Sequence, residues 1–433
     1  MEAADKILKI EELPIYDYSI IKEDLINVYP TNESALAINE GEIIFSIERL
    51  DQFLLPSKSC LYLEGSLTKP DDTPLSKEDK VTLTNNSPLF LFDRATYSLD
   101  GNQIEDISDP GRASLFKGIL SYSSNLSKQN TFGWILEGPQ YGVVEEVAGE
   151  VKTRDSFDFK LDKYNVLRKG NLSFCIPLSH IFGFAECYNK VIYGVKHTLI
   201  LRRKGDKNSI YSKDVEKFQA KFTIKKLHWL IPKIMPGLEM QNKLMGMFDS
   251  KKIFSLQFIS RRFEDIDVPL AARDFTWKLG TKYEKIKYLI IGFQTMRNDN
   301  YKNAARFDHC NLETIWVELN SERYPYECLA CDFNKFNAVQ QYNFAKEFKN
   351  SYYQTTKECM FIDEDQYYNY YPLFVLDVTK QNERIKNSRP DVTIRAKFLK
   401  NIPINTKCYC LILSDSLIEN EGDGNRIQVR HIY

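Results

Sequence analysis

Two stretches about 220 residues apart say the same thing. Arg94-Ala95-Thr96-Tyr97-Ser98-Leu99-Asp100-Gly101 and Thr314-Ile315-Trp316-Val317-Glu318-Leu319-Asn320-Ser321 each run an alternating, aromatic-containing strand into a two-residue turn. Alternation of period two lets one face of a strand be buried while the other stays wet, and Asp-Gly or Asn-Ser supplies the backbone angles of a tight hairpin. Other landmarks echo in the same order. Asn171 to Leu178 matches Tyr371 to Val378, and His197 to Arg202 matches Tyr409 to Ser414. Each half also carries a helix-like piece after its hairpin, Ser114 to Tyr122 and Asn337 to Tyr353. Ordered echoes at one approximate offset imply a duplicated β-domain.

At 433 residues the chain exceeds what one core usually supports, and its 25 Tyr and 27 Phe suit pleated, half-buried surfaces better than a helix bundle. Lys and Arg number 58 against 59 Asp and Glu, a net charge of -1 with the signs interspersed. A protein built to grip phosphates needs a cationic excess, so sequence-specific nucleic-acid binding is not expected. The basic clusters Arg202-Arg203-Lys204 and Lys225-Lys226 read as solvated loop or edge charges.

The start, Met1-Glu2-Ala3-Ala4-Asp5-Lys6, lacks the basic and apolar regions of a secretory signal, and no segment approaches the roughly 18 apolar residues of a membrane span. Synthesis in the cytosol is the expectation. Nine scattered cysteines, Cys60, Cys175, Cys187, Cys310, Cys328, Cys331, Cys359, Cys408 and Cys410, read as reduced core thiols in that compartment.

Three segments follow from the patterning. Residues 1–35 form an acidic N-terminal arm, 36–212 a first β-unit and 213–433 a second, with the junction in turn and charged residues near 205 to 218. A polar insertion from about Ser123 to Lys169 and a short helix expected from Leu238 to Phe248 interrupt the strands. Long excursions of this kind are typical of jelly rolls, where loops gather at one end of a sandwich.

No residue set points to chemistry. His180, His197, His228, His309 and His431 lack the short spacing of a metal motif. Cys328 and Cys331 form a CxxC without a partner pair at zinc-finger spacing, and Cys408 with Cys410 supplies a four-thiolate site only if strands far apart in sequence converge. Glu145-Glu146, Glu264-Asp265-Ile266-Asp267 and Asp363-Glu364-Asp365 read as solvated loop carboxylates, because a glycosidase needs two carboxyls facing across a cleft. Tyr352-Tyr353 and Tyr367-Tyr368-Asn369-Tyr370-Tyr371 suit a core or a subunit interface, with a sugar-stacking platform as the rival. The expectation is therefore no catalytic, cofactor-binding or metal-binding residue, no cofactor and no enzymatic activity.

His228-Trp229-Leu230-Ile231-Pro232, Tyr288 to Thr295, Phe307-Asp308-His309-Cys310 and Val317 to Pro325 resemble the double jelly-roll-like proteins of arthropod genomes and insect-associated viruses. Phe92 to Gly111 and Tyr371 to Asp415 are also similar. That family resembles the major capsid proteins of the adenovirus, polinton and tailless-phage lineage. The resemblance implies an all-β fold of two tandem eight-stranded jelly-roll β-sandwiches with short helices in the loops. It further implies a structural viral major capsid protein, located in the virion and assembled from homotrimers into pseudo-hexagonal tiles of an icosahedral shell. Expected partners are further copies of the chain, neighbouring capsomers and minor capsid or penton proteins. A carbohydrate-binding or other recognition module is the alternative.

Overall fold

The computed structural model describes residues 19–36, 40–48, 51–123, 131–147, 150–213, 220–250, 253–270, 272–280, 285–297, 302–356, 360–381, 390–422 and 427–432. The first sandwich has eight principal strands: β1 (Ile20–Val28), β2 (Glu40–Ile47), β3 (Cys60–Thr68), β4 (Phe92–Leu99), β5 (Asn102–Ser108), β6 (Asn171–Pro177), β7 (His197–Lys204) and β8 (Lys221–Pro236). The second has β9 (Ile253–Asp267), β10 (Asp274–Lys278), β11 (Ile286–Thr295), β12 (Leu312–Leu319), β13 (Glu322–Tyr324), β14 (Phe374–Asp377), β15 (Val392–Phe398) and β16 (Thr406–Gly422). In each, one sheet joins the first, eighth, third and sixth strands, β1-β8-β3-β6 and β9-β16-β11-β14. The facing sheet joins the second, seventh, fourth and fifth, β2-β7-β4-β5 and β10-β15-β12-β13. All these pairings are antiparallel, and the interleaved order is a jelly roll executed twice.

The two hairpins are equivalent strands. Asp100 and Gly101 have φ of +50° and +78°, and Asn320 and Ser321 have +47° and +75°, the two positive angles of a type I′ turn. The echo between Asn171–Leu178 and Tyr371–Val378 is also positional, since it covers β6 and β14. The echo between His197–Arg202 and Tyr409–Ser414 is not. The first lies in β7, whose counterpart is β15, whereas the second lies in β16 of the other sheet. Both contain Leu-Ile-Leu, a composition that marks an inner strand without recording which sheet it joins.

Residues read from sequence as arm and as the start of the second unit form one ladder. Along Ile20–Val28, β1 pairs with Pro236–Trp229 of β8, while Lys221–Leu230 of β8 pairs with β3. The arm's remaining residues, 1–18, lie outside the described residues.

A continuous apolar cluster runs through both sandwiches. It explains why β11 and β16 carry near-unbroken apolar runs: Leu289 to Ile291 and Cys408 to Leu413 are buried on both faces. Helix α1 (Pro110–Ser121), capped by Asp109, follows β5; α2 (Leu238–Asp249) joins the two rolls; α3 (Val339–Tyr353) and α4 (Glu364–Tyr370) lie between β13 and β14. The insertion after α1 is less polar than its sequence suggests, because Phe132, Trp134 and Ile135 are buried.

Candidate functional site

The two rolls meet along a packed seam. Strand β9 of the second roll lies along β5 and the short helix Gly183–Cys187 of the first. Phe258 meets Phe184 edge-on with centroids 5.2 Å apart, and Phe263 meets Phe116 of α1 at 5.3 Å. The contact is close enough to demand glycine: a Cβ on Gly183 would lie 1.9 Å from the Ile259 carbonyl oxygen.

Two buried cations and a half-buried carboxylate meet in this seam. Arg261 of β9, with 0% of its surface exposed, donates to the carbonyls of Ser179, His180 and Ile181 at 2.9 to 3.1 Å and to Glu186 Oε2 at 2.6 Å. Lys117 of α1 reaches the other oxygen of Glu186, and Tyr352 and Tyr353 of α3 donate to the same carboxylate at 2.8 and 2.7 Å. Burial works against the Glu186 carboxylate, but Arg261 and Lys117 outweigh it and hold its pKa far below the usual range. Lys117 itself is brought down to about 8 by burial, against the pull of Glu186.

Glu105 of β5 stands next to this cluster with a different balance. Its carboxylate accepts the backbone N–H groups of Gly183 (3.2 Å), Phe184 (2.6 Å) and Arg261 (2.8 Å). Burial nevertheless pushes it up to about 7, because backbone dipoles and a partly shared arginine compensate less than a dedicated cation.

Two further polar links cross the seam. Arg112 of α1 donates to Gln294 of β11 at 2.8 Å and lies over the Tyr409 ring at 4.9 Å, while pairing with Asp109. The Glu137 N–H donates to the Tyr371 hydroxyl at 2.5 Å, and the Glu137 carboxylate holds the buried Lys160 ammonium at 2.5 Å.

Tyr367 and Tyr371 are fully buried, Tyr368 accepts the Ala338 N–H at 2.7 Å, and Tyr352 closes the seam, so the run offers no exposed stacking platform at these positions. The histidines do not converge either. His180 lies between Tyr122 and Asn86, His197 binds the Tyr97 hydroxyl at 2.7 Å and is pulled by burial to about 3, His228 lies beside Tyr29, and His309 stacks on Phe333. The His431 side chain lies outside the described residues, as do Cys359 and the Glu145 and Glu146 side chains.

The Cys328 and Cys331 thiols contact Gln341 and the Leu312 carbonyl, and Cys408 and Cys410 are buried in β16. Asp265 pairs with Lys407 at 2.8 Å and Asp363 caps α4. Among the described residues no group of three His, Cys, Asp or Glu is placed to hold a metal ion. Of the basic clusters, Arg202 pairs with Asp93, Lys204 with Asp109 and Lys226 with Glu64.

A family model for the double jelly roll-like domain matches residues 150–418. The chain belongs to the double jelly roll-like family. Solved structures with the same double jelly roll include the Faustovirus major capsid protein, at 9% identity and a TM-score of 0.57, with 95% of this chain and 92% of that one covered. The mavirus major capsid protein gives 11%, 0.55, 99% and 93%. PBCV-1 VP54, as fitted into a reconstruction of the virophage Sputnik, gives 9%, 0.55, 98% and 100%. No curated protein matches the sequence. Among the described residues of this family member, no helix is long and apolar enough to cross a membrane.

Sequence reasoning missed Glu105, Gly183, Glu186 and Arg261. Burial changes parity along β9, with Leu256 and Phe258 buried in its first half and Arg261 and Phe263 in its second, so a period-two pattern cannot single out the arginine.

Proposed function

We propose that this chain is a major capsid protein whose three copies close head to tail into a pseudo-hexagonal tile of a virion shell. The carrying observation is the unequal exposure of two equivalent strands. Strand β9 is covered by the first roll, whereas its counterpart β1 leaves Ile20, Ile21 and Leu25 exposed, Ile21 by 68% and Leu25 by 61%. Met235 and Leu238 add to the exposed apolar residues at the far end of β8.

The covering side is unequal in the same sense. In the first roll, β5 and the residues near it press against β9. In the second roll, the residues after β13 leave Tyr326, Leu329, Phe336 and Val339 exposed. An outer seam between copies, laid out like the inner one, would bring these two exposed groups together. Heterologous contacts of this kind close into rings when the rotation allows, and six similar rolls make three chains. The Faustovirus and mavirus major capsid proteins, which share this fold, support the role.

Self-association is thus the principal partner interaction, with neighbouring capsomers and minor capsid or penton proteins further out. The strand ladder supports dividing the rolls within α2, so that β1 and β8 both belong to the first. The function asks for no catalytic residue.

Size-exclusion chromatography with light scattering tests the proposal. Three chains of 50.5 kDa each, or shells under the electron microscope, are expected. A monomer that persists at high concentration and binds glycans would favour the recognition-module alternative, and turnover of a substrate would overturn the structural role.

A further inference from the structure

We infer that Cys60 and Cys175 form a reversible disulfide that ties β6, at the margin of its sheet, to β3. The register pairs Cys60 with Pro177 and Tyr62 with Cys175, so the two thiols lie diagonally across one antiparallel ladder. Both occupy the outer face, in step with Tyr62 and Glu64, while Leu61, Leu63, Phe174 and Ile176 point into the core. Their sulfur atoms are 2.8 Å apart. That is inside the roughly 3.5–4.0 Å at which uncharged heavy atoms rest against one another, and the step to a bond of about 2.05 Å requires no change of register.

Reactivity is arranged in the same direction. A single thiol hydrogen shared between the two sulfurs holds the Cys175 thiol down to about 7 and raises Cys60. Both side chains are half-exposed, whereas Cys310, Cys331, Cys408 and Cys410 are buried beyond an oxidant's reach. A low-pKa thiolate with a resolving thiol beside it is the arrangement of a redox-responsive pair.

The oxidant is a small disulfide such as oxidised glutathione. The Cys175 thiolate attacks one of its sulfurs, forming a mixed disulfide and expelling one glutathione thiolate. Cys60 then loses its proton and attacks the Cys175 sulfur, forming the internal bond and expelling the second thiolate. Two protein thiols are oxidised, two glutathione sulfurs are reduced, and the protons released by the cysteines end on glutathione. The bond closes a loop spanning 115 residues of sequence, which contains α1 and the hairpin strands Pro139–Val147 and Glu150–Asp155.

The test uses the full chain equilibrated in excess oxidised or reduced glutathione, followed by thiol counting after denaturation, peptide mapping and thermal melting. In the oxidised buffer the nine thiols are expected to fall by two, a linked Cys60–Cys175 peptide to appear, and Tm to rise by about 5 °C, all reversed by dithiothreitol. Cys60→Ser and Cys175→Ser should each abolish the linked peptide and the Tm response. Recovery of all nine thiols in the oxidised buffer, a linkage between other cysteines, or an unchanged two-thiol loss in either variant would overturn the inference. The bond is internal to one chain, so these outcomes are independent of whether copies assemble.

Discussion

Strands β1 and β9 hold the same topological place in their rolls and meet opposite environments. Along β9 lie Phe258, Arg261 and Phe263, each covered by the neighbouring roll, and the arginine is satisfied by carbonyls and a carboxylate from across the seam. Along β1 lie Lys22, Glu23 and Asp24, solvated and paired only at the surface, with Ile21 and Leu25 bare beside them. Duplication supplied two similar modules, and fusion into one chain covered only one of the two equivalent flanks. The residue types record the difference: a buried ionic anchor where the two rolls of one chain join, and mixed charge with apolar residues on the flank proposed to meet another copy.

The comparison breaks most visibly in assembly. Leu25→Asp combined with Ile21→Asp should shift the light-scattering mass from three chains to one, while chemical denaturation of the monomer changes by less than about 1 kcal/mol, the range for surface sites. A trimer that survives both substitutions would mean that β1 is not the outer seam.

The matching substitution in β9 should do the reverse. Arg261→Leu leaves Glu186 with half its counter-charge and three carbonyls without their donor. A loss of about 3–5 kcal/mol in denaturant-measured stability is expected, because one partner of a buried charge network has been removed.

Glu105 sharpens the contrast through pH. Its folded pKa, about 7, lies above the ordinary 4.5, so the folded state holds the proton more tightly than the unfolded chain. The stabilisation is fully present below about pH 4.5 and is lost as pH rises through about 7. Arg261 is the nearest opposing charge. Glu105→Gln should remove this slope, on the order of 3 kcal/mol across the window, when the variant and parent are compared by urea denaturation at successive pH values.

The smallest effect concerns the two hairpins. Ser321 adopts φ of +75° at the position where Gly101 has +78°. Ser321→Gly should therefore stabilise the second roll by about 0.5–1 kcal/mol in thermal melts, and Gly101→Ala should destabilise the first by a similar amount, since a Cβ there meets no atom within 4 Å and only the backbone angle opposes it.

The duplicated architecture was legible because hairpins are local. Two residues with positive φ and a period-two strand are written in consecutive positions, so Asp100-Gly101 and Asn320-Ser321 disclose their turns without reference to the rest of the chain. Helices α1, α2 and α3 were legible for the same reason. The seam was not. Arg261, Glu186 and Glu105 come from strands and a helix far apart in sequence, and each looks alone like an ordinary surface charge. Strand β1 was not legible as a strand because its exposed face suppresses the alternation that marks a half-buried strand, leaving a segment that reads as an acidic tail. Of the tyrosines, Tyr352 reaches Glu186 of the other half of the same molecule, while Tyr367 and Tyr371 are buried.

The continuous apolar cluster beneath the seam has a mechanical consequence. If copies assemble as proposed, two rolls anchored through one core hold their outer flanks at a set angle, and that angle, rather than the stickiness of the flanks, would determine whether successive molecules meet end to start after three steps. In the proposed trimer, a change at Gly183 that opened this angle slightly would leave both exposed flanks intact and still turn closed rings into spirals or open filaments.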